Sequence, residues 1–339
     1  MKFLPAARPF VIAEAGVNHN GRVDLALKLV DAATRAGADA VKFQTFRAEA
    51  LASAAAPRAR YQKRAGKGSQ LAMLRALELS ERGHRAVVER CRRRGIRFMS
   101  TPFDESSADF LSSLGMTIFK IPSGEVTNLP LLRHIAAKGR PVFLSTGMST
   151  LAEVRDAVSA IRRAGGRDLA ILHCVSSYPA EPRDANLNAM ATLSRAFRVP
   201  VGYSDHTLGL EVSFAAAALG ARVLEKHFTL DKSLPGPDHA MSLSPDELAA
   251  LCRGVRRVGE SLGDGVKAPR PCEREIMRAA RRSVVFARAV RAGERLTLAD
   301  LALKRPGTGL PPSRLASLVG RRTKRAVPAD ALVTAAVLV

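Results

Sequence analysis

Two histidines close two successive apolar runs in this chain. His206 follows Val199-Pro200-Val201-Gly202-Tyr203-Ser204-Asp205, and His227 follows Arg222-Val223-Leu224-Glu225-Lys226. If both runs are neighbouring parallel strands, the two imidazoles emerge at the same end of the sheet. A pair of nitrogens so placed suits a divalent metal whose remaining positions stay open for substrate oxygens. Either histidine alone reads as an ordinary structural residue; its company is what distinguishes the pair. Lys42 and Lys120 also stand directly after apolar runs. An ammonium there must reach an open mouth or bear a heavy desolvation cost. Two lysines, several Ser and Thr hydroxyls and Gly-rich turns supply what a phosphate and a carboxylate require.

The elements that must position these groups repeat through the first 230 residues as apolar run, polar turn and amphipathic helix. Strands are expected at Phe10–Ala15, Ala40–Gln44, Ile96–Ser100, Thr117–Ile121, Pro141–Ser145, Leu169–Cys174, Val199–Tyr203 and Arg222–His227. Leu25, Leu29, Ala32, Ala33 and Ala36 form a helical stripe that stops at Gly37. Leu129–Ala137, Leu151–Arg163 and Leu210–Leu219 behave alike, with Gly139, Gly165 and Gly220 as stops, and Pro245–Leu262 adds a further helix. Continuous apolar strands alternating with helices mean a covered parallel sheet. Eight units favour a closed (β/α)8 TIM barrel, which places chemistry at the C-terminal ends of the strands. Those ends carry Glu14, Lys42 with Gln44, Ser100-Thr101, Lys120 with Ser123 and Glu125, Ser145, Ser176 with Tyr178, Ser204 and the two histidines. Any one of them is what a surface loop carries by default.

Bulk properties narrow the classes. At 339 residues and 47% apolar, the chain can build one large domain and a small one. The four cysteines, Cys91, Cys174, Cys252 and Cys272, form no CxxC pair and favour a reducing compartment. Pro5, Arg8, Pro9 and Glu14 interrupt any signal-peptide core, and no run is long enough for a membrane span, so a cytoplasmic protein is expected. The net charge of +22 raises the question of nucleic acid. Residues 281 onward hold 12 Lys and Arg against 3 Asp and Glu, which leaves +13 spread over the rest. With no Trp and three Tyr, stacking surfaces for bases are scarce. The excess reads as an Arg-rich solvated surface, then as attraction for an anionic substrate, and last as specific nucleic-acid binding.

The strand-end blocks, in order, closely resemble the sialic acid synthase family, the phosphoenolpyruvate-condensing enzymes that make nonulosonic acids. The blocks are Ile12-Ala13-Glu14-Ala15-Gly16-Val17-Asn18-His19-Asn20-Gly21, Val41-Lys42-Phe43-Gln44-Thr45, Ser100-Thr101-Pro102-Phe103, Phe119-Lys120-Ile121-Pro122-Ser123-Gly124-Glu125, Leu144-Ser145-Thr146-Gly147-Met148, Gly202-Tyr203-Ser204-Asp205-His206-Thr207, Glu225-Lys226-His227-Phe228-Thr229 and Pro235-Gly236-Pro237-Asp238. The resemblance runs from about Phe10 to about Pro328. It implies a catalytic barrel over residues 1–262, a linker over 263–280 and a small β-rich SAF (antifreeze-like) domain over 281–339. It further implies a domain-swapped homodimer, in which Arg305, within Leu303-Lys304-Arg305-Pro306-Gly307-Thr308-Gly309, enters the neighbouring active site.

The implied reaction joins phosphoenolpyruvate to the open-chain aldehyde of an N-acylated mannose-type sugar. C3 of the enol phosphate attacks the aldehyde carbon, water adds at C2, and phosphate leaves by C–O cleavage. A Mn²⁺ or Mg²⁺ ion on His206 and His227 would stabilise the developing alkoxide. Glu14 is the candidate acid/base, with Glu125 either sharing that task or pairing with a rim lysine. Lys42, Thr101, Lys120, Ser123, Ser145 and Ser204 match the family's phosphoenolpyruvate contacts. Ser176, where the family often has Asn, would reach the same ligand directly or through water. Gln44, Tyr178, Asp238 and Arg305 match positions that bind the acylamino sugar.

Two further departures bear on the sugar. Arg281-Arg282 replaces an aromatic at the start of the SAF domain, and the basic loop from Arg47 to Leu71 has no match for a sugar-contacting asparagine. Leu234-Pro235-Gly236-Pro237-Asp238-His239 looks more like the N-acetylneuraminate and legionaminate branches than the pseudaminate branch. The alternatives are a phosphoenolpyruvate-dependent aldose-phosphate synthase on a similar barrel, and a non-catalytic basic protein that binds nucleic acid or sugar.

Overall fold

A computed structural model describes residues 1, 3–59, 62 and 68–339. The chain divides into two compact units, Met1–Gly263 and Asp264–Val339. In the first, eight parallel strands close into a barrel in sequence order: β1 (Phe10–Gly16), β2 (Ala40–Thr45), β3 (Arg97–Pro102), β4 (Phe119–Ile121), β5 (Val142–Ser145), β6 (Leu169–Cys174), β7 (Val201–Asp205) and β8 (Val223–His227). β8 pairs back onto β1, with Phe10 opposite Val223 and Glu14 opposite His227. Strand starts and ends agree with the sequence reading to within two residues. Thr117 and Ile118 lie outside β4, and β7 runs on to Asp205.

Side-chain alternation explains the layering. Val11, Ala13, Val41, Phe43, Ile171, Tyr203 and Leu224 point outward and pack under the helices. The intervening residues point inward, and their lower layers are apolar: Phe10, Ile12, Ala40, Met99, Phe143, Ala170, Leu172 and Val223. Phe3 stacks edge-on to Phe10 at 5.9 Å, and the Arg97 guanidinium lies 5.0 Å from the Phe3 ring, so the lower end of the barrel is filled. The inward positions turn polar only in the upper layer.

The helices start and stop on local signals. Val23–Ala36 ends where Gly37 takes a left-handed conformation (φ 81°), with its N–H on the Ala33 and Thr34 carbonyls. Pro245–Leu262 begins with a Ser244/Glu247 capping box and a proline in its first turn. Leu151–Arg163 matches its expected span. Among the described residues no helix is long and apolar enough to cross a membrane.

The second unit has its own core around Val284, Phe286, Leu296, Leu318 and Val333. β9 (Ser283–Phe286) and β10 (Leu301–Lys304) pair antiparallel, and the remaining pairing is by isolated bridges such as Val290–Val327 and Thr323–Leu338. The segment 263–280, expected as a linker, contains a helix at Arg274–Ala280.

Candidate active site

The upper ends of the strands enclose a cavity of about 960 Å³. Its floor follows from the same alternation that built the core. Two residues above Ile12 comes Glu14; above Ala40 come Lys42 and Gln44; above Met99, Thr101; above Phe143, Ser145; above Leu172, Cys174; above Val223, Glu225 and His227. All of these line the cavity, as do Lys120, Ser204 and His206. From the loops come Ser123, Ser176 and Tyr178.

A buried chain of charges crosses the floor. Lys42 Nζ lies 2.7 Å from Glu14 Oε2 and donates to Thr101 Oγ1 at 3.0 Å. Glu225 Oε1 accepts from Lys120 Nζ at 3.0 Å and from Ser204 Oγ at 2.9 Å, while its Oε2 lies 3.9 Å from Lys42 Nζ. Burial pushes the Glu14 carboxyl up to about 7; Lys42 opposes this and the charge of Glu225 reinforces it. Burial acts the same way on Glu225, but there the ammonium groups of Lys120 and Lys42 win and hold it down at about 2. Burial would lower Lys42; the two carboxylates outweigh it and raise the group above its ordinary value. One carboxyl is therefore fixed as an anion while the other is poised to exchange a proton near neutrality.

The imidazole rings of His206 and His227 lie 5.7 Å apart, and the Tyr178 ring sits 4.3 Å from that of His206. Burial lowers the pKa of both histidines, His227 well below 6.5 with help from the nearby cations, so both are neutral at pH 7. His206 Nδ1 lies 2.7 Å from the Val175 carbonyl, which makes Nδ1 the donor and leaves the Nε2 lone pair for a ligand. His227 Nδ1 is buried without a hydrogen-bond partner among the described residues, 3.9 Å from Asp238 Oδ2. Two neutral imidazoles, one oriented by a carbonyl, fit a divalent cation. Among the described residues no cluster of three or more His, Cys, Asp or Glu has metal-holding geometry. The protein would thus supply two nitrogens and leave the other positions to oxygens of ligand and water.

Beside the lysines is a wall of small donors. Ser123 Oγ accepts from the Gly147 N–H at 2.9 Å and lies 3.0 Å from Cys174 Sγ. A Cβ on Gly147 would collide with Ser176 Oγ and stand 2.9 Å from Cys174 Sγ, so glycine here is what lets these groups converge. Ser145 Oγ and Glu225 Oε2 are buried in the cavity without hydrogen-bond partners among the described residues. Such atoms are what a bound ligand satisfies.

Glu125, Asp238 and Arg305 are not among the lining residues. Glu125 sits on a 3₁₀ turn beyond β4, outside the cavity lining, and accepts from Asn128 Nδ2 at 2.7 Å. Among the described residues it bonds within its own loop and forms no ion pair with a rim lysine. Asp238 is buried just behind the lining, where a Cβ on Gly16 would be 3.3 Å from Glu14, 3.5 Å from Gln44 and 3.6 Å from Asp238. Burial raises Asp238 to about 7. Arg305 belongs to the second unit, and its Nε donates to the Ala280 carbonyl at 3.1 Å. Of the basic loop, residues 60, 61 and 63–67 lie outside the described residues; Gln62 and Gln70 from its described part line the cavity. Glu225 and Cys174 were not nominated, although both fall on inward positions of strands already identified.

Comparison with known proteins agrees with this geometry. A sequence model of the NeuB family matches residues 29–267, and one of the SAF domain matches residues 281–339. The chain is 50% identical over 319 residues to the N,N'-diacetyllegionaminic acid synthase of Legionella pneumophila, covering 92% of this chain and 90% of that protein. It is 43% identical to the synthase of the same name from Campylobacter jejuni, covering 96% of this chain and 99% of that one. Among solved structures, the N-acetylneuraminic acid (sialic acid) synthetase of Leptospira borgpetersenii, in complex with citrate, superposes with a TM-score of 0.71 at 37% identity. That match covers 80% of this chain and 91% of the other.

Proposed function

This chain is a synthase-type enzyme of the NeuB family with a C-terminal SAF domain, and on that premise we propose that it condenses phosphoenolpyruvate with an N-acylated mannose-type aldehyde. Water is consumed, and a nonulosonic acid and inorganic phosphate are released. Of the two acceptor types, N-acetylmannosamine and a 2,4-diacetamido-trideoxyhexose, the second is favoured by the similarity to the two diacetyllegionaminic acid synthases. The observation that carries the reading is the convergence of Lys42, Lys120, Glu14 and two neutral imidazoles on one cavity.

Each group has a task. Lys42 and Lys120, with the hydroxyls of Thr101, Ser123, Ser145, Ser176 and Ser204, neutralise and orient the carboxylate and phosphate of phosphoenolpyruvate. The partnerless Ser145 Oγ supports this assignment. Glu225, held ionised, orients Lys120 and Ser204 and presents negative charge to C2 as that carbon becomes cation-like. Glu14, near neutrality in pKa, can give its proton to the aldehyde oxygen as C3 attacks, then take one from the water that adds to C2. Gln44 Nε2, 3.4 Å from Glu14 Oε1, keeps that carboxyl turned inward. Gln44, Tyr178 and Asp238 are assigned to the acylamino sugar. A Mn²⁺ or Mg²⁺ ion bound by His206 and His227 would supply Lewis-acid polarisation of the aldehyde oxygen. Arg305 is assigned to the cavity of a second copy in a homodimer. The reaction is placed in the cytoplasm, where phosphoenolpyruvate is made.

The deciding experiment gives the protein phosphoenolpyruvate carrying ¹⁸O in its bridging position, Mn²⁺ and a panel of acceptors. Product is read by mass, and phosphate by its isotope content. The expected result is a nonulosonic acid together with phosphate that retains the ¹⁸O, as C–O cleavage demands. Folded, metal-replete dimer that turns over none of the acceptors overturns the reading; phosphate without the label overturns the mechanism.

A further inference from the structure

The cavity has two chemically unlike halves. Its floor is the charged and hydroxyl-bearing layer described above. Its outer wall includes Leu51, Leu74 and Phe103. These three are the partly buried members of a small hydrophobic cluster with Val17, Phe46, Met73 and Leu77. Their packed faces are held by that cluster, and Phe46 braces Phe103 edge-on at 6.0 Å. Their other faces are exposed to the cavity. Beside them Gln70 Nε2 donates to Gln62 Oε1 at 3.3 Å, so an amide edge borders the apolar wall.

The reaction fixes which end of the acceptor meets which half. The aldehyde carbon must lie at the floor, next to Glu14, the lysines and the imidazoles, so the far end of the sugar chain points away from it, toward the part of the lining to which Leu51, Leu74 and Phe103 belong. A hydroxymethyl or phosphorylated end would there lose water against Leu51, Leu74 and Phe103 without gaining a hydrogen bond from them. A methyl end, or the methyl of an acylamino group, buries apolar surface instead.

We propose that Leu51, Leu74 and Phe103 form a methyl-reading wall that selects acceptors deoxygenated at the end of the chain remote from the aldehyde and acylated on a second amino group near it. The inference rests on the synthase reading and assigns the residues that choose among its acceptors. Discrimination in an apolar pocket against an added hydroxyl reaches about 10- to 100-fold.

The test compares kcat/KM for three acceptors at saturating phosphoenolpyruvate and Mn²⁺: a 2,4-diacetamido-2,4,6-trideoxyhexose of manno type, 6-deoxy-N-acetylmannosamine and N-acetylmannosamine. The wild type is expected to prefer each 6-deoxy acceptor over N-acetylmannosamine by at least about 10-fold. Leu74→Gln and Leu51→Gln, both at half-buried positions, should each cut that ratio several-fold. The change should appear mainly in the acceptor KM, leaving the phosphoenolpyruvate KM unchanged, and Leu74→Met should restore the preference. A wild type that favours the hydroxymethyl or a phosphorylated acceptor overturns the inference, as does a ratio that neither glutamine variant moves; both outcomes leave the synthase reading standing. Failure to turn over any acceptor overturns both.

Discussion

Lys226 Nζ lies 2.7 Å from Asp205 Oδ2, and these two residues immediately precede the two cavity histidines. They point outward from β7 and β8, into the layer beneath the helices, while His206 and His227 line the cavity. Asp205 also accepts from the Thr207 N–H and hydroxyl and from Ser213 Oγ; Lys226 also donates to the Thr207 carbonyl at 2.8 Å. The buried pair thus ties together the two strand ends that carry the imidazoles. Lys226→Met should destabilise the protein by about 3–5 kcal/mol, because it strands a buried carboxylate. The double variant Asp205→Asn/Lys226→Met should recover much of that stability yet still bind Mn²⁺ about 10- to 100-fold more weakly than wild type. Thermal melts and Mn²⁺ titration followed by electron paramagnetic resonance separate the two effects. Wild-type Mn²⁺ affinity in the double variant would show that the pair serves the fold alone.

Glu14 couples stability to pH in the sense opposite to an ordinary salt-bridged carboxylate. Its carboxyl is raised from 4.5 to about 7, so the folded protein keeps a proton that the unfolded chain releases. The stability this contributes is fully present below pH 4.5 and is lost as pH rises through 7. Glu14→Gln should therefore raise Tm relative to wild type at pH 8, leave it nearly unchanged at pH 5, and abolish turnover at both. Equal Tm shifts at the two pH values would mean that Glu14 does not titrate within this range.

The barrel was legible because its strands are continuous apolar runs separated by helices with glycine stops. The floor was legible because lysine, glutamate and serine at the end of such a run have few other places to be. Glu225 is hard to single out within Glu225-Lys226-His227, three polar residues in succession. The alternation resolves them: Val223, Glu225 and His227 share the inward face, and Lys226 lies on the other. Pro122-Ser123-Gly124-Glu125 looks like one rim loop, and the 3₁₀ turn divides it, sending Ser123 to the cavity and Glu125 to Asn128. In the second unit, β10 and the scattered bridges are too short for periodicity to mark.

Metal removal should cost activity without costing the fold. The imidazoles sit on strands that the core holds in place, and only two protein nitrogens face the proposed ion. Dialysis against a chelator should abolish turnover while leaving the far-ultraviolet circular dichroism intact, and Mn²⁺ should restore it. His206→Ala and His227→Ala should each prevent that restoration and lose Mn²⁺ binding by titration. Full activity in either variant removes that histidine from the ligand set.

Gly147 and Gly124 offer a matched pair of substitutions. Gly124 lines the cavity, but a Cβ there meets nothing within 4 Å. At Gly147 a Cβ would collide with Ser176 Oγ and press on Cys174 Sγ at 2.9 Å and Ser123 Oγ at 3.0 Å. Gly147 lies outside the left-handed region, so alanine adds no backbone strain, and its effect is confined to the displaced hydroxyls and thiol. Those hydroxyls are assigned to phosphoenolpyruvate, where small misplacements of preset donors are costly. Gly147→Ala should raise the phosphoenolpyruvate KM at least about 10-fold, or lower kcat by a similar factor, with little change in Tm or acceptor KM. Gly124→Ala should behave as wild type. If the acceptor KM rises instead, the hydroxyl wall faces the sugar, and the assignment of the two ligands within the cavity must be reversed.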